Sequence, residues 1–154
     1  MPSTTSAARG PTPVPEVLVV DASCLFEVVA DTPASETIRH RLAADPDHAA
    51  PHIVDAEVLG AIRRHHLAGL LDTTAASQAV EDLQDWPGER YGHRGLLVRA
   101  WELRHTVRSW DALYVALAEA LGATLLTTDA RLAGASGPTC PIDVVEGAGP
   151  RTDG

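Results

Sequence analysis

Apolar runs and helical stripes alternate along the chain and predict its elements in order. Val17-Leu18-Val19-Val20 is unbroken and rich in β-branched residues, which predicts a strand buried on both faces. It ends on Asp21. Ala22-Ser23 then opens a short helix reaching residue 30, with Ser23 as its cap. A second helix starts at Thr32-Pro33-Ala34, carries Ile38 and Leu42, and stops before Asp45-Pro46-Asp47. His48-Ala49-Ala50 is a short strand candidate ended by Pro51. Residues 52–68 read as a longer helix, closed by Gly69, with an apolar stripe of Ile53, Val54, Val58, Ala61 and Ile62. Glu57 falls inside that stripe. Asp72-Thr73-Thr74 caps a helix through Leu83, which Trp86-Pro87-Gly88 breaks. Arg90-Tyr91 is the core of another short strand, and residues 96–103 read as helix.

The most regular stretch is residues 109–129. Leu113, Ala116, Leu117 and Ala120 form an i, i+3, i+4, i+7 stripe. Ser109 can cap this helix, and Gly122 can take the left-handed conformation that closes it. The Thr- and Leu-rich run at 124–128 is too short for a helix and reads as a strand ending on Asp129. After one turn at 130–133 and a loop at 134–141, Ile142-Asp143-Val144-Val145 is the last strand. This β-α alternation implies an α/β fold with a parallel sheet between helices. The Val17 strand should be central, with the Thr124 strand on one side and the His48 strand on the other. Their carboxyl ends then bring Asp21 and Asp129 together. Residues 1–15 read as a disordered tail, 16–146 as one domain, and 147–154 as a C-terminal tail.

Charge narrows the possibilities. The 154 residues carry a net charge of −9, which argues against binding nucleic acid by bulk electrostatics and leaves a nuclease with local basic residues open. All twelve Lys-plus-Arg positions are arginine, so no mechanism can use a lysine. No apolar run reaches the ~18 residues of a membrane span, and the start lacks the basic and apolar regions of a secretory signal. The expected setting is the cytoplasm, with Cys24 and Cys140 as unpaired thiols.

Four acids sit where a surface acid is not expected: Asp21 and Asp129 end buried strands, Glu57 interrupts an apolar stripe, and Asp111 adjoins an apolar helix face. Each alone has an ordinary explanation as a turn residue, a cap, a partner of the helix dipole or a partner of an arginine such as Arg64. Together at one sheet edge they repel, by about 1–4 kcal/mol for a pair at ~4 Å. A hard divalent cation offsets that repulsion, and Mg²⁺ favours a few carboxylates plus water or phosphate oxygens. Zinc is disfavoured: no Cys or His falls at ligand spacing, and all seven histidines read as surface or packing residues. Asp55, about 200° round the helix from Glu57, and Glu119 read as surface acids.

The sequence resembles the PIN-domain ribonucleases, in particular the VapC toxins of type II toxin–antitoxin pairs. Val19-Val20-Asp21-Ala22-Ser23 matches the family's opening, and Pro51 through Glu57 matches its helical Glu after a proline. Trp110 through Asp129 matches its most specific stretch, departing at Trp110, where tyrosine is frequent. The resemblance covers roughly residues 17–145 and implies a PIN-like three-layer α/β/α sandwich. It implies RNA cleavage with Mg²⁺ or Mn²⁺, with Asp21 and Asp111 as the main metal ligands and Glu57 and Asp129 completing the site directly or through water. Ser23 and Thr127 would hydrogen-bond those ligands. A homodimer and a small cognate VapB-like antitoxin are the implied partners. Arg63, Arg64 and Arg131 lie near the acids in sequence and could hold RNA phosphates or a partner's carboxylates; each could equally be a solvated surface arginine. Alternatives are a PIN-like module that binds RNA or protein without cleavage and a DNA-directed nuclease of the flap-endonuclease type, which is longer and more basic. A receiver domain lacks its lysine here, and a haloacid-dehalogenase-type phosphatase lacks the second Asp, since residue 23 is Ser.

Overall fold

β1 (Leu18–Val20), β2 (His48–Pro51), β3 (Glu89–Tyr91), β4 (Thr124–Thr127) and β5 (Ile142–Val144) form one parallel sheet in the spatial order β3-β2-β1-β4-β5. The structure is a computed structural model that describes residues 17–147; the expected tail at 1–15, and the second tail beyond Gly147, lie outside the described residues. β1 is central, as its unbroken apolar run requires, and all three of its residues are fully buried. Leu18 pairs with His48 on one side and Thr124 on the other.

The helices are α1 (Ala22–Val29), α2 (Ser35–Ala44), α3 (Ile53–Leu67), α4 (Thr73–Asp85), α5 (Leu97–Glu102), α6 (Ser109–Leu121) and α7 (Ala130–Ala133). The chain steps outward from β1 to β3, then returns to the far side of β1 at β4. Right-handed crossovers therefore put α1–α4 on one face and α5–α6 on the other, giving the three-layer sandwich. The direction of winding reverses between β1 and β4, so a crevice opens at their carboxyl ends. Asp21 and Asp129 follow those two strands directly. No helix among the described residues is long and apolar enough to cross a membrane. Cys24 is buried, Cys140 is partly buried, and both are free.

Several local details differ from the sequence expectation. Asp21, with an extended backbone, is the residue that precedes α1, and Ser23 is already helical. Ser23 is engaged with Asp21 instead of capping. Residues 96–103 are not one helix: a 3₁₀ turn at Arg94–Leu96 feeds α5, which ends at Glu102. Arg108, extended at φ −62° and ψ 151°, takes the capping position of α6, and Ser109 is the first helical residue. Nor are two of the supposed surface acids simply solvated. Glu119 accepts from Arg99 Nε at 2.6 Å and from the Thr139 amide at 2.8 Å, pinning the loop before β5 to α6. Asp55 pairs with Arg90 at 2.9 Å.

Gly122 ends α6 as expected, at φ 60°, with the Ala123 amide donating back to Ala118 O at 2.8 Å. This is a Schellman closure. It also fixes the register in which β4 leaves the helix and delivers Asp129. Nothing lies within 4 Å of where a Cβ would sit, so Gly122→Ala meets backbone strain without a clash. The expected cost is about 1–2 kcal/mol, read as a lower urea midpoint with an unchanged slope.

Candidate active site

Asp21, directly after β1, is nearly buried at 6% exposed. Its Oδ2 accepts from Thr127 Oγ1 at 2.6 Å and from Ser23 Oγ at 2.9 Å. Both hydroxyls are used twice. Thr127 Oγ1 also accepts from the Asp129 amide at 3.1 Å, and Ser23 Oγ accepts from the Thr128 amide at 3.1 Å. A lattice of short polar bonds thus ties the end of β1 to the end of β4. Both hydroxyl bonds fall on Oδ2, so no hydroxyl occupies Oδ1.

The other acids arrive on helices. Val54, Val58 and Ile62 bury the inner face of α3, which leaves Glu57 half-buried at the edge of that face. Its Oε1 accepts from the hydroxyl of Tyr114, a fully buried residue of α6, at 2.9 Å. That bond joins the two helical layers across the crevice. Asp111 lies three residues before Tyr114, on the same face of α6. Asp129 caps α7, accepting from the Arg131 amide at 3.0 Å, and is held again by the Arg131 guanidinium at 3.2 Å.

The acids feel one another. Burial, then the charges of Asp21 and Asp129, push Asp111 up to about 6. Burial raises Glu57, with Asp21 and Asp111 adding to it although Tyr114 opposes them. Asp21 is raised chiefly by burial, against the pull of its two hydroxyls, with Asp129 contributing. Asp129 is the exception: burial acts to raise it, but the side chain, amide and charge of Arg131 outweigh that and hold it below the usual range. Without a cation the site therefore carries surplus negative charge.

The donor set decides which ion fits. It is all oxygen and all carboxylate, which suits Mg²⁺ or Mn²⁺ and not zinc. Among the described residues no three Asp, Glu, His or Cys side chains stand close enough to cage an ion.

Of the arginines read from sequence, Arg131 reaches the site through Asp129. Arg63 and Arg64 are exposed on α3. Arg64 is seven residues from Glu57, on the same face, and its guanidinium lies over Gly60. Three further residues had no place in the sequence reading. Tyr114 orients Glu57; its signal was a tyrosine within an apolar stripe, whose hydroxyl needs a partner. Arg108, exposed just before α6, lowers both Asp111 and Asp129 by its charge. His93 Nε2 accepts from the Ile53 amide at 3.0 Å, capping the helix that carries Glu57. A larger depression of about 650 Å³ lies between α2 and the end of β5, and none of the four acids lines it. Its Arg41 is already committed to Asp45 and Asp143, each at 2.7 Å.

A pH dependence follows from Asp111. Its folded value lies above the 3.8 of a free aspartate, so the folded chain binds the proton more tightly than the unfolded one. Metal-free stability should be greatest below about pH 4 for this group and fall as pH rises to about 6. Two units set a ceiling of ~3 kcal/mol, and partial solvent access reduces that to about 1–2 kcal/mol. Melting temperatures of EDTA-treated protein should thus be higher near pH 5 than near pH 7, and Asp111→Asn should flatten the difference.

A PIN domain family model matches residues 18–137. The chain is 47% identical over 124 residues to Ribonuclease VapC3 of Mycobacterium tuberculosis, covering 80% of this chain and 90% of that protein. It is 41% identical over 128 residues to Ribonuclease VapC1 of the same organism, covering 82% and 96%. Among solved structures it resembles PAE2754 from Pyrobaculum aerophilum, with a TM-score of 0.60 and 26% identity, covering 84% of each chain. It also shares its fold with a chain of VapBC2 from Rickettsia felis, solved bound to a DNA fragment from their promoter, with a TM-score of 0.61 and 15% identity, covering 84% of this chain and 99% of that one.

Proposed function

The chain belongs to the PIN-domain family, among its VapC proteins, and from that footing we propose that it is a Mg²⁺-dependent endoribonuclease, with Mn²⁺ an alternative ion. The observation that carries the reading is the mutual electrostatic influence of Asp21, Glu57, Asp111 and Asp129 near the carboxyl ends of β1 and β4, with three of the four raised by burial and by neighbouring acids. Asp21 and Asp111 would hold the ion, and Glu57 and Asp129 would complete its surroundings directly or through water. When bound, the ion supplies Lewis-acid polarisation of a phosphodiester, a lower pKa for water, and compensation of charge on the leaving oxygen.

The chain's own residues do the positioning. Thr127 and Ser23 fix the rotamer of Asp21 through Oδ2, so the carboxylate need not reorient to meet a ligand. Tyr114 sets the direction of Glu57 and tethers α3 to α6. Arg131 keeps Asp129 ionised and stationary. Such placement is worth more in a crevice than in water, because no reorganisation is needed at the moment of reaction.

The proposal extends to biology as the toxin of a type II pair. It would act in the cytoplasm as a homodimer and be held inactive by a small cognate VapB-like antitoxin. The exposed Arg64, on the Glu57 face of α3, and Arg63, about 120° round the helix from Glu57, would meet either RNA phosphates or antitoxin carboxylates. The test is incubation of the purified chain with mixed cellular RNA in Mg²⁺ and in excess EDTA, beside co-expression with the neighbouring reading frame. Cleavage only with Mg²⁺, and a small protein that copurifies and blocks it, are expected. Equal cleavage in EDTA would contradict the reading.

A further inference from the structure

Beside the acids lies a small cleft of about 130 Å³, whose lining includes Arg108, Asp111, Asp129 and Arg131. It is smaller than the ~300–1,000 Å³ pockets that take drug-sized ligands, so it suits a phosphate group and not a nucleoside. Its two cations are in different states. Arg131 is spent on Asp129, with its guanidinium at 3.2 and 3.4 Å from the two carboxylate oxygens. Arg108 makes no ion pair with another described residue. Yet its charge is felt by both Asp111 and Asp129. It therefore stands near the acids without neutralising them, at the rim of a cleft in a chain of net charge −9.

A polyanion approaching such a chain needs a local cation that is not already paired. Arg39, Arg41, Arg90, Arg99 and Arg131 are all engaged with carboxylates; Arg63, Arg64, Arg94 and Arg104 form no ion pair with a described residue either, but none of them lines this cleft. We infer that Arg108 is a substrate-positioning residue: its guanidinium holds one backbone phosphate of single-stranded RNA in this cleft, while Arg131 orients Asp129 and does not share the phosphate. The inference rests on the nuclease reading and adds to it which arginine touches substrate. A phosphate contact positions the strand without reading its sequence, so this cleft contributes register and no base preference.

The test compares the parent with Arg108→Gln, Arg108→Lys and Arg131→Gln, in binding and in turnover. Binding of a short labelled single-stranded RNA of mixed sequence is followed by anisotropy, in EDTA, across a range of salt. Arg108→Gln should lower the dependence of log K on log salt by about 0.7, the value for one phosphate on a single strand. It should also raise KM by ~10-fold with kcat changed much less, because a charged hydrogen bond of this kind mainly serves binding. Arg108→Lys should restore the salt slope. Arg131→Gln should leave that slope intact and lower kcat. Arg108 is exposed, so its variants should fold, with Arg108→Gln losing only the small stabilisation that its charge gives the ionised Asp111 and Asp129 and Arg108→Lys keeping it.

An unchanged slope and KM in Arg108→Gln overturns the inference, as does a fall in kcat alone. If instead the variant binds RNA normally and loses only its hold on an antitoxin, the arginine serves the protein partner and the inference again fails. The binding arm needs neither metal nor cleavage. A parent that binds RNA but never cleaves it sinks the nuclease reading while the slope still decides Arg108; a cleaving parent with an unaltered Arg108→Gln sinks Arg108 alone.

Discussion

Replacing Thr127 with valine is expected to destabilise the protein by about 2–4 kcal/mol while preserving the shape of the core. Thr127 is fully buried, and its hydroxyl donates to Asp21 at 2.6 Å and accepts from the Asp129 amide at 3.1 Å. Valine keeps the volume and removes both bonds. Asp21 then loses its shorter hydrogen bond at a nearly waterless position, and the Asp129 amide loses an acceptor. The first bond involves a charged group and is worth ~1.5–3 kcal/mol; the second is neutral and worth ~0.5–1.5 kcal/mol. Cleavage should fall as well, because Asp21 and Asp129 no longer share a fixed link. Thr127→Ser keeps the hydroxyl and should retain activity, with a smaller loss from the missing methyl. Urea unfolding of the two variants side by side checks the claim. A valine variant as stable and active as the parent would show that the hydroxyl is not the bridge between β1 and β4.

How far these features could be read from the sequence depended on the range of the interaction. The β1 run and the Gly122 stop are local signals: a strand buried on both faces must be apolar throughout, and a left-handed residue prefers glycine. The position of β1 between β2 and β4 followed from its being the most apolar strand. The four acids stood out because each interrupted a local pattern. Their partners did not, since Tyr114 meets Glu57 across 57 positions and Thr127 meets Asp21 across 106. Glu119 looked like a surface acid because Arg99, which fixes it, lies 20 residues away on α5. Ser23 was read as a cap for a related reason: its local propensity is real, but its hydroxyl donates to Asp21 two residues back and accepts from the Thr128 amide 105 positions away. Arg108 carried no pattern of its own, and only the cleft gives it meaning.

The second large effect is that of Asp111→Asn. The substitution keeps the side chain's shape and removes a full negative charge from a residue that would hold the ion. Losing a group of this kind typically lowers the rate by ~10²-fold or more, equivalent to several kcal/mol of transition-state stabilisation. Folding should respond in the opposite direction. Burial and the charges of Asp21 and Asp129 disfavour the ionised form of Asp111, so above about pH 6 the metal-free variant should be more stable than the parent, by about 1–2 kcal/mol. Below about pH 4, where the parent's Asp111 is also neutral, the two should converge. A structural salt-bridge role predicts the reverse: lower stability, and activity lost only in proportion. Mg²⁺ should raise the parent's melting temperature by mass action and raise the variant's much less.

The central claim is that these acids work as one metal-dependent unit on RNA. The measurement that tests it most directly is RNA cleavage by Asp111→Asn and by the parent in the same saturating Mg²⁺, with the parent repeated in excess EDTA. The account predicts cleavage by the parent in Mg²⁺ and loss of cleavage in both other cases. Full cleavage by Asp111→Asn, or undiminished cleavage by the parent in EDTA, would contradict it.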